Sequence, residues 1–200
     1  MRVRFGLLGL IAALAVALLA PPVGAQQSSG GWGLAQLMQR LHQVKSASAQ
    51  FTERKTLHVL TEPLISSGTL LYVAPDQVQK ITVLPKRERF AIDGDTLTMD
   101  GTTEGQSRRL SLAEHPEIGA LVEGIRATLA GDLPALDRFY TVQFGGSPQD
   151  WHLFLQPKEA RLQKFLKSIR IAGSGNRITS VETEEADGDR SEMSIVEDAR

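Results

Sequence analysis

From Phe51 to Leu112 the chain is cut into strand-length runs by closely spaced turn residues. The runs are Phe51–Leu60, Leu64–Val73, Gln77–Leu84, Glu88–Asp93, Thr96–Asp100 and Ser107–Leu112. Each is rich in β-branched or aromatic residues and bounded by Gly, Pro, Asp or Ser, the pattern of consecutive β-strands. Further along, Tyr140–Gly145 and Trp151–Pro157 face each other across Gly145-Gly146-Ser147-Pro148. Lys164–Ala172, Arg177–Glu184 and Ser191–Glu197 complete the series. About eleven strands with turns this short predict antiparallel meanders rather than a parallel α/β sheet.

Two stretches break the strand rhythm. Trp32–Ser46 carries Leu34, Leu37, Met38, Leu41 and Val44 at offsets of three and four, one apolar stripe on a helix. Ile118–Ala130 repeats the pattern with Ile118, Leu121, Val122, Ile125 and Leu129. Pro116 stands where a first-turn proline is tolerated, and Gly131-Asp132 ends the helix. Pro134–Arg138 adds one short turn. The fold class is therefore α+β, mainly β. Gly68-Thr69-Leu70-Leu71-Tyr72-Val73 and Trp151-His152-Leu153-Phe154-Leu155 are apolar at both parities. A solvated antiparallel sheet alternates apolar and polar instead, so these strands are expected to be covered on both faces.

The N-terminus predicts export. Arg2 and Arg4 precede Phe5–Ala20, an apolar run without a charge. Pro21-Pro22 breaks it, and Val23-Gly24-Ala25 supplies a small-residue cleavage site. As a helix, that run spans roughly 24 Å, short of the ~30 Å hydrocarbon core, so it reads as a cleavable signal peptide over residues 1–25. The mature part, 26–200, reads as one domain without internal repeats, and it is expected to be monomeric. The chain has no cysteine; it cannot itself be acylated as a lipoprotein is, and it must hold together by burial without disulfides. Without Arg2 and Arg4, 20 basic residues face 23 acidic ones, a net charge near −3. With no basic stripe interleaved with aromatics, nucleic acid is not an expected partner.

Residue patterns for chemistry are weak. His42, His58, His115 and His152 are scattered without ligand spacing. Asp187-Gly188-Asp189-Arg190-Ser191 begins like a calcium loop, but Glu192 and Asp198 occupy its sixth and twelfth positions, so it reads as a hairpin turn. Asp93 and Asp95 flank Gly94 as another turn. Gly173-Ser174-Gly175-Asn176 lacks the Lys-Ser/Thr of a phosphate loop, and no G-x-S-x-G or cysteine nucleophile is present. The expectation is a non-enzyme without metal or cofactor.

A longer constellation is more specific. Phe51-Thr52-Glu53 follows the first helix. Gly68-Thr69-Leu70-Leu71-Tyr72-Val73-Ala74-Pro75 comes next, then Pro85, then Asp93-Gly94-Asp95-Thr96-Leu97. With the helical insertion, Trp151 opening a strand and the Asp187-Gly188-Asp189 hairpin, the order across 32–197 resembles the LolA family of outer-membrane lipoprotein carriers. That resemblance implies an incomplete antiparallel β-barrel of about eleven strands with a helical lid over an apolar cavity. It also implies a periplasmic carrier that takes acylated lipoprotein or lipid cargo from an inner-membrane transporter and hands it to an outer-membrane acceptor. The alternative within the same fold is a lipoprotein-sensing or protein-interaction domain. Three departures are visible. Ala74 stands where the family places a lid-latching Arg, and Lys80 falls where an aromatic is expected. The chain also stops at Arg200, without the C-terminal segment of the general carriers. A dedicated carrier for one acylated product is therefore as well supported as general sorting.

Strand parity from the Gly68–Pro75 motif turns Leu70 and Tyr72 toward the concave side. Phe51, Phe90, Met99, Phe144, Leu153 and Ile171 are further cargo-binding candidates, with Leu121, Ile125 and Leu129 from the lid. With Ala74 in place of Arg, the lid is expected to be held mainly by apolar contact.

Overall fold

The computed structural model describes residues 31–103 and 106–198. The predicted signal peptide and its cleavage site lie outside the described residues. Fifteen elements follow in order. They are α1 (Leu34–His42), β1 (Ser46–Thr56), β2 (Leu64–Val73), β3 (Gln77–Leu84), β4 (Glu88–Asp93), β5 (Thr96–Thr103) and β6 (Gln106–Ser111), then α2 (Pro116–Ala130), α3 (Leu133–Phe139), β7 (Tyr140–Ser147), β8 (Asp150–Pro157), α4 (Ala160–Gln163), β9 (Leu166–Ser174), β10 (Arg177–Glu185) and β11 (Arg190–Glu197).

All eleven strands form one antiparallel sheet in the order β6-β5-β4-β3-β2-β1-β11-β10-β9-β8-β7. Sequence neighbours pair throughout, and β1 joins the two meanders by pairing with β11 from Ala49↔Glu197 to Thr56↔Arg190. The edges β6 and β7 do not pair with each other, so the sheet stays open. The turns carry the residues their geometry requires. Gly94 (φ 56°) and Gly188 (φ 96°) take the left-handed conformation in the two Asp-Gly-Asp turns.

Local boundaries differ from the sequence expectation at one instructive place. The first helix stops at His42, and the strand starts at Ser46 rather than Phe51. Ser46-Ala47-Ser48-Ala49 has little strand propensity, but it pairs with Val73 to Leu70 of β2, and the ladder overrides propensity. The strand then ends at Thr56, where the Leu60 amide donates to the Leu57 carbonyl in a turn. The short α4 was not foreseen.

The helices gather at one side of the sheet. α1 buries Leu37, Met38 and Leu41. With Leu136, Tyr140, Trp151, Leu153, Leu155, Ile169 and Ile171, all essentially unexposed, they form the main core. Gly173 lies beneath the Trp151 ring, where a Cβ would come within 2.2 Å of it; only glycine permits that stacking. A smaller cluster of Leu97, Leu112 and Val122 packs α2 against the β5 end of the same face. On the outward face the expected second cover is not what the apolar residues receive. Val73 is 48% exposed, and the Phe154 ring is shielded by the Arg170 guanidinium at 5.8 Å. Snorkelling side chains and partial exposure replace a second packed layer there.

Candidate functional site

Between the helices and the concave side of the sheet lies a cavity of about 370 Å³, within the range of small-molecule sites, roughly 300–1,000 Å³. Its wall draws on both meanders: Leu97 of β5 and Ile171 of β9 both line it. These strands stand seven places apart in the sheet, which is roughly 34 Å in a flat sheet at ~4.8 Å per strand. Sharing one small cavity requires the sheet to curl.

The register explains which residues reach the hollow. Ala47 opposes Tyr72 and Ala49 opposes Leu70 across β1–β2; Leu70 opposes Lys80 and Tyr72 opposes Val78 across β2–β3. Lys80 opposes Phe90, and Val78 opposes Ile92, across β3–β4. All of these line the cavity, because alternate residues on neighbouring strands share a face. Leu41 and Val44 cover it from the α1 side; Leu121, Val122, Ile125 and Leu129 cover it from α2.

Of the residues singled out from sequence, Leu70, Tyr72, Phe90, Leu121, Ile125, Leu129 and Ile171 line the cavity. The remaining four do not. Phe51 is buried on the inner face, its ring capped by the Lys80 ammonium at 4.9 Å. Met99 packs into the Leu97–Leu112–Val122 cluster. Phe144 meets Trp32 edge to face at 6.0 Å, and Leu153 lies in the main core. These four share the inward parity of the lining residues, but the helices and neighbouring side chains fill the space in front of them. Parity fixes the face and says nothing about what stands opposite.

The sequence reading also passed over lining residues. Ala47 and Ala49 form part of the wall, as do Met193 and Ile195 of β11 and Val181 of β10. The signal for the alanines was alternation in phase with Phe51; small side chains on that face leave room for the hollow.

Besides the apolar contact expected with Ala74, the helices over the hollow carry a few polar ties. Ala74 does not line the cavity, and its amide donates to the Lys45 carbonyl at 2.9 Å. Polar ties come from elsewhere. Arg126 of α2 donates to the Gly94 carbonyl in the β4–β5 turn at 3.2 Å and also pairs with Glu123. The Tyr140 hydroxyl donates to the Ala120 carbonyl at 2.7 Å. Burial, then the Glu123 charge, pushes the Tyr140 phenol far above its ordinary value, so it stays a neutral donor. Gly131 (φ 65°) lets the end of α2 abut α1, where the His42 ring meets the Ala130 carbonyl at 3.0 Å.

Polar groups at the cavity are few. Lys80 is its only lining cation among the described residues, with Asn176 and Glu197 as the other polar side chains besides Tyr72, whose ring lines the wall. The Tyr72 oxygen is buried without a hydrogen-bond partner. Burial, then the Asp76 charge, raises its pKa. Away from the cavity, His58, Asp187 and Asp189 bring ligand-type atoms within 4.8 Å of one another at the exposed hairpin tips. The sequence separation of His58 from the other two hid that grouping. His58 and Asp189 are already joined by a 2.8 Å hydrogen bond.

A curled, open antiparallel sheet with helices over an apolar hollow is the architecture that the chain presents. The sequence matches, over residues 28–199, the family described as outer membrane lipoprotein carrier protein LolA-like, and the chain belongs to that family. A LolA superfamily protein from Nitrosomonas europaea aligns with 11% identity over 83% of this chain and 92% of its own, at a TM-score of 0.45. MucB, in the MucA/MucB complex of Pseudomonas aeruginosa, aligns with 12% identity over 81% of this chain and 55% of that chain, at 0.44. A DUF1329 family protein from Desulfovibrio piger gives 11%, 82%, 88% and 0.45. At these values none of the three bears on function. Sequence comparison with curated proteins gives no match. No helix among the described residues is long and apolar enough to cross a membrane.

Proposed function

We propose that this chain is a periplasmic carrier that shields the acyl chains of a lipoprotein or lipid-linked product and moves them from the inner to the outer membrane. The observation that carries the reading is the apolar cavity enclosed by α1, α2 and the curled sheet. Each methylene exposed to water costs about 0.8 kcal/mol, so an acyl anchor needs such a cover to leave a membrane. An inner-membrane transporter as donor and an outer-membrane acceptor are the partners that this role requires. Release is built in: the wall is open, and the helices are held by a handful of hydrogen bonds, each worth about 0.5–1.5 kcal/mol net.

Binding of a fluorescent acyl ester tests the reading, together with mass spectrometry of lipid co-purified from the periplasm. Saturable binding that is displaced by unlabelled acyl ester supports it; a folded protein with no acyl affinity overturns it. A second reading, a lipoprotein-sensing or protein-interaction domain, is favoured by one observation. Leu64 and Ile65 at the start of β2 and Val83 and Leu84 at the end of β3 leave an exposed apolar strip at one end of the sheet.

A further inference from the structure

One wall of the cavity carries a built-in ion pair. Lys80 sits between Leu70 and Phe90 on the concave face, and its ammonium bonds the Glu53 carboxylate. Glu53 is held by more than this partner. Ser191 donates to its other oxygen at 2.5 Å, and Ser66 donates at 3.2 Å. The side chain is only 15% exposed. Burial pushes the Glu53 carboxyl upward, but the hydrogen bonds from Lys80, Ser191 and Ser66 and the Lys80 charge outweigh it, leaving the group below its ordinary value and ionised.

The consequence is that the cavity's cation is already neutralised. An ammonium has three N–H donors, and Glu53 is the one acceptor recorded for Lys80 among the described residues. Donor capacity therefore remains at the wall without net positive charge. A ligand carbonyl satisfies the remaining donors of that ammonium. A ligand carboxylate placed at Lys80 would share the site with Glu53, and two carboxylates in one low-dielectric site cannot both ionise freely.

We propose that the Glu53–Lys80 pair makes the cavity selective for acyl chains bearing an uncharged carbonyl linkage, an ester or an amide, and rejects free fatty acids. Lys80 donates to the linkage, and Glu53 is the element that turns away a second carboxylate. This rests on the carrier reading and names the chemical class of its cargo.

The test compares 1-monopalmitoylglycerol with palmitate by competition against a fluorescent acyl ester, below their micellar concentrations and at one neutral pH. Wild type is expected to favour the ester at least tenfold. An apolar cavity alone would also favour a neutral ligand, so the variants decide. Glu53→Gln leaves Lys80 unneutralised and is expected to cut the ester-to-acid preference at least tenfold. Lys80→Met removes the cation, keeps the carboxylate and is expected to raise that preference while weakening the ester several-fold. Either variant decides alone, with folding checked by circular dichroism, so one that does not fold leaves the other. If both ligands bind and neither variant moves the ratio, the selectivity inference is wrong and the carrier reading stands. If wild type binds neither, the carrier reading itself fails.

Discussion

The two flanks of the sheet carry similar apolar side chains on their inner faces and put them to opposite uses. On the β7–β9 side, Trp151, Leu153, Leu155, Ile169 and Tyr140 are sealed beneath helices and partners, with essentially no exposure. On the β1–β4 side, Leu70, Val78, Phe90 and Ile92 stay partly open and face the cavity. Composition does not separate the flanks; what stands opposite each side chain does. One flank contributes stability by filling space, and the other leaves space unfilled for a ligand.

The largest expected effect breaks this contrast most sharply. Leu153→Ala removes a fully packed side chain and is expected to cost about 2–5 kcal/mol in urea denaturation. Leu70→Ala, at a wall already facing a hollow, is expected to cost under about 1 kcal/mol. Equal losses would show that the flanks are not differently packed. Next in size, Leu70→Glu places a carboxylate where acyl chains would displace its water. It is expected to lower affinity for a fluorescent acyl ester more than tenfold while circular dichroism stays native. An unfolded Leu70→Glu protein would assign that position to the core instead.

Smaller effects probe the helices that cover the hollow. Tyr140→Phe removes the hydrogen bond to the Ala120 carbonyl and is expected to cost about 1 kcal/mol in thermal or urea unfolding. Arg126→Ala removes the tie to the Gly94 carbonyl. It is expected to increase binding of an environment-sensitive hydrophobic dye several-fold, since about 1.4 kcal/mol off the closed state shifts the balance tenfold. Unchanged dye binding would mean that the Arg126 tie does not hold α2 closed.

How much of this was legible from the chain depends on the kind of information. Strand number, the Asp-Gly-Asp turns and the two longer helices follow from local chemistry, and the structure keeps them nearly in place. The boundary at Ser46 was lost because Ser46-Ala47-Ser48-Ala49 is extended only by pairing with β2, a partner more than twenty residues away. The inward face was also legible, since period-two alternation fixes it. Cavity against core was not. Phe51 and Leu70 share a face, but the Lys80 ammonium stands over one and the hollow over the other. The position of the polar tie was equally hidden, because Arg126 and Gly94 are brought together only when α2 folds back over the β4–β5 turn.

The smallest expected effect concerns the hairpin tips, far from either flank. The hydrogen bond to Asp189 raises the His58 pKa above its ordinary 6.5, despite slight desolvation. The His58 amide, then its ring, lowers that of Asp189 below 3.8. The His58 contribution is complete below pH 6.5 and fades as pH rises through the raised value. The Asp189 contribution is complete above pH 3.8 and fades as pH falls through the lowered one. The β1–β2 tip is therefore expected to be pinned most firmly between those limits. Hydrogen exchange of residues 57–60 checks this, and the alkaline loosening should vanish in His58→Gln.

The central claim, that the hollow rather than the packed flank receives acyl chains, is tested most directly by photo-crosslinking. A palmitoyl ester carrying a diazirine near the chain terminus would be bound, irradiated and mapped by peptide mass spectrometry. The account predicts labels on cavity residues such as Leu70, Phe90, Leu121 and Ile125, lost on competition with unlabelled ester. Labels confined to the exposed Leu64–Ile65 and Val83–Leu84 strip, or none that competitor removes, would contradict it.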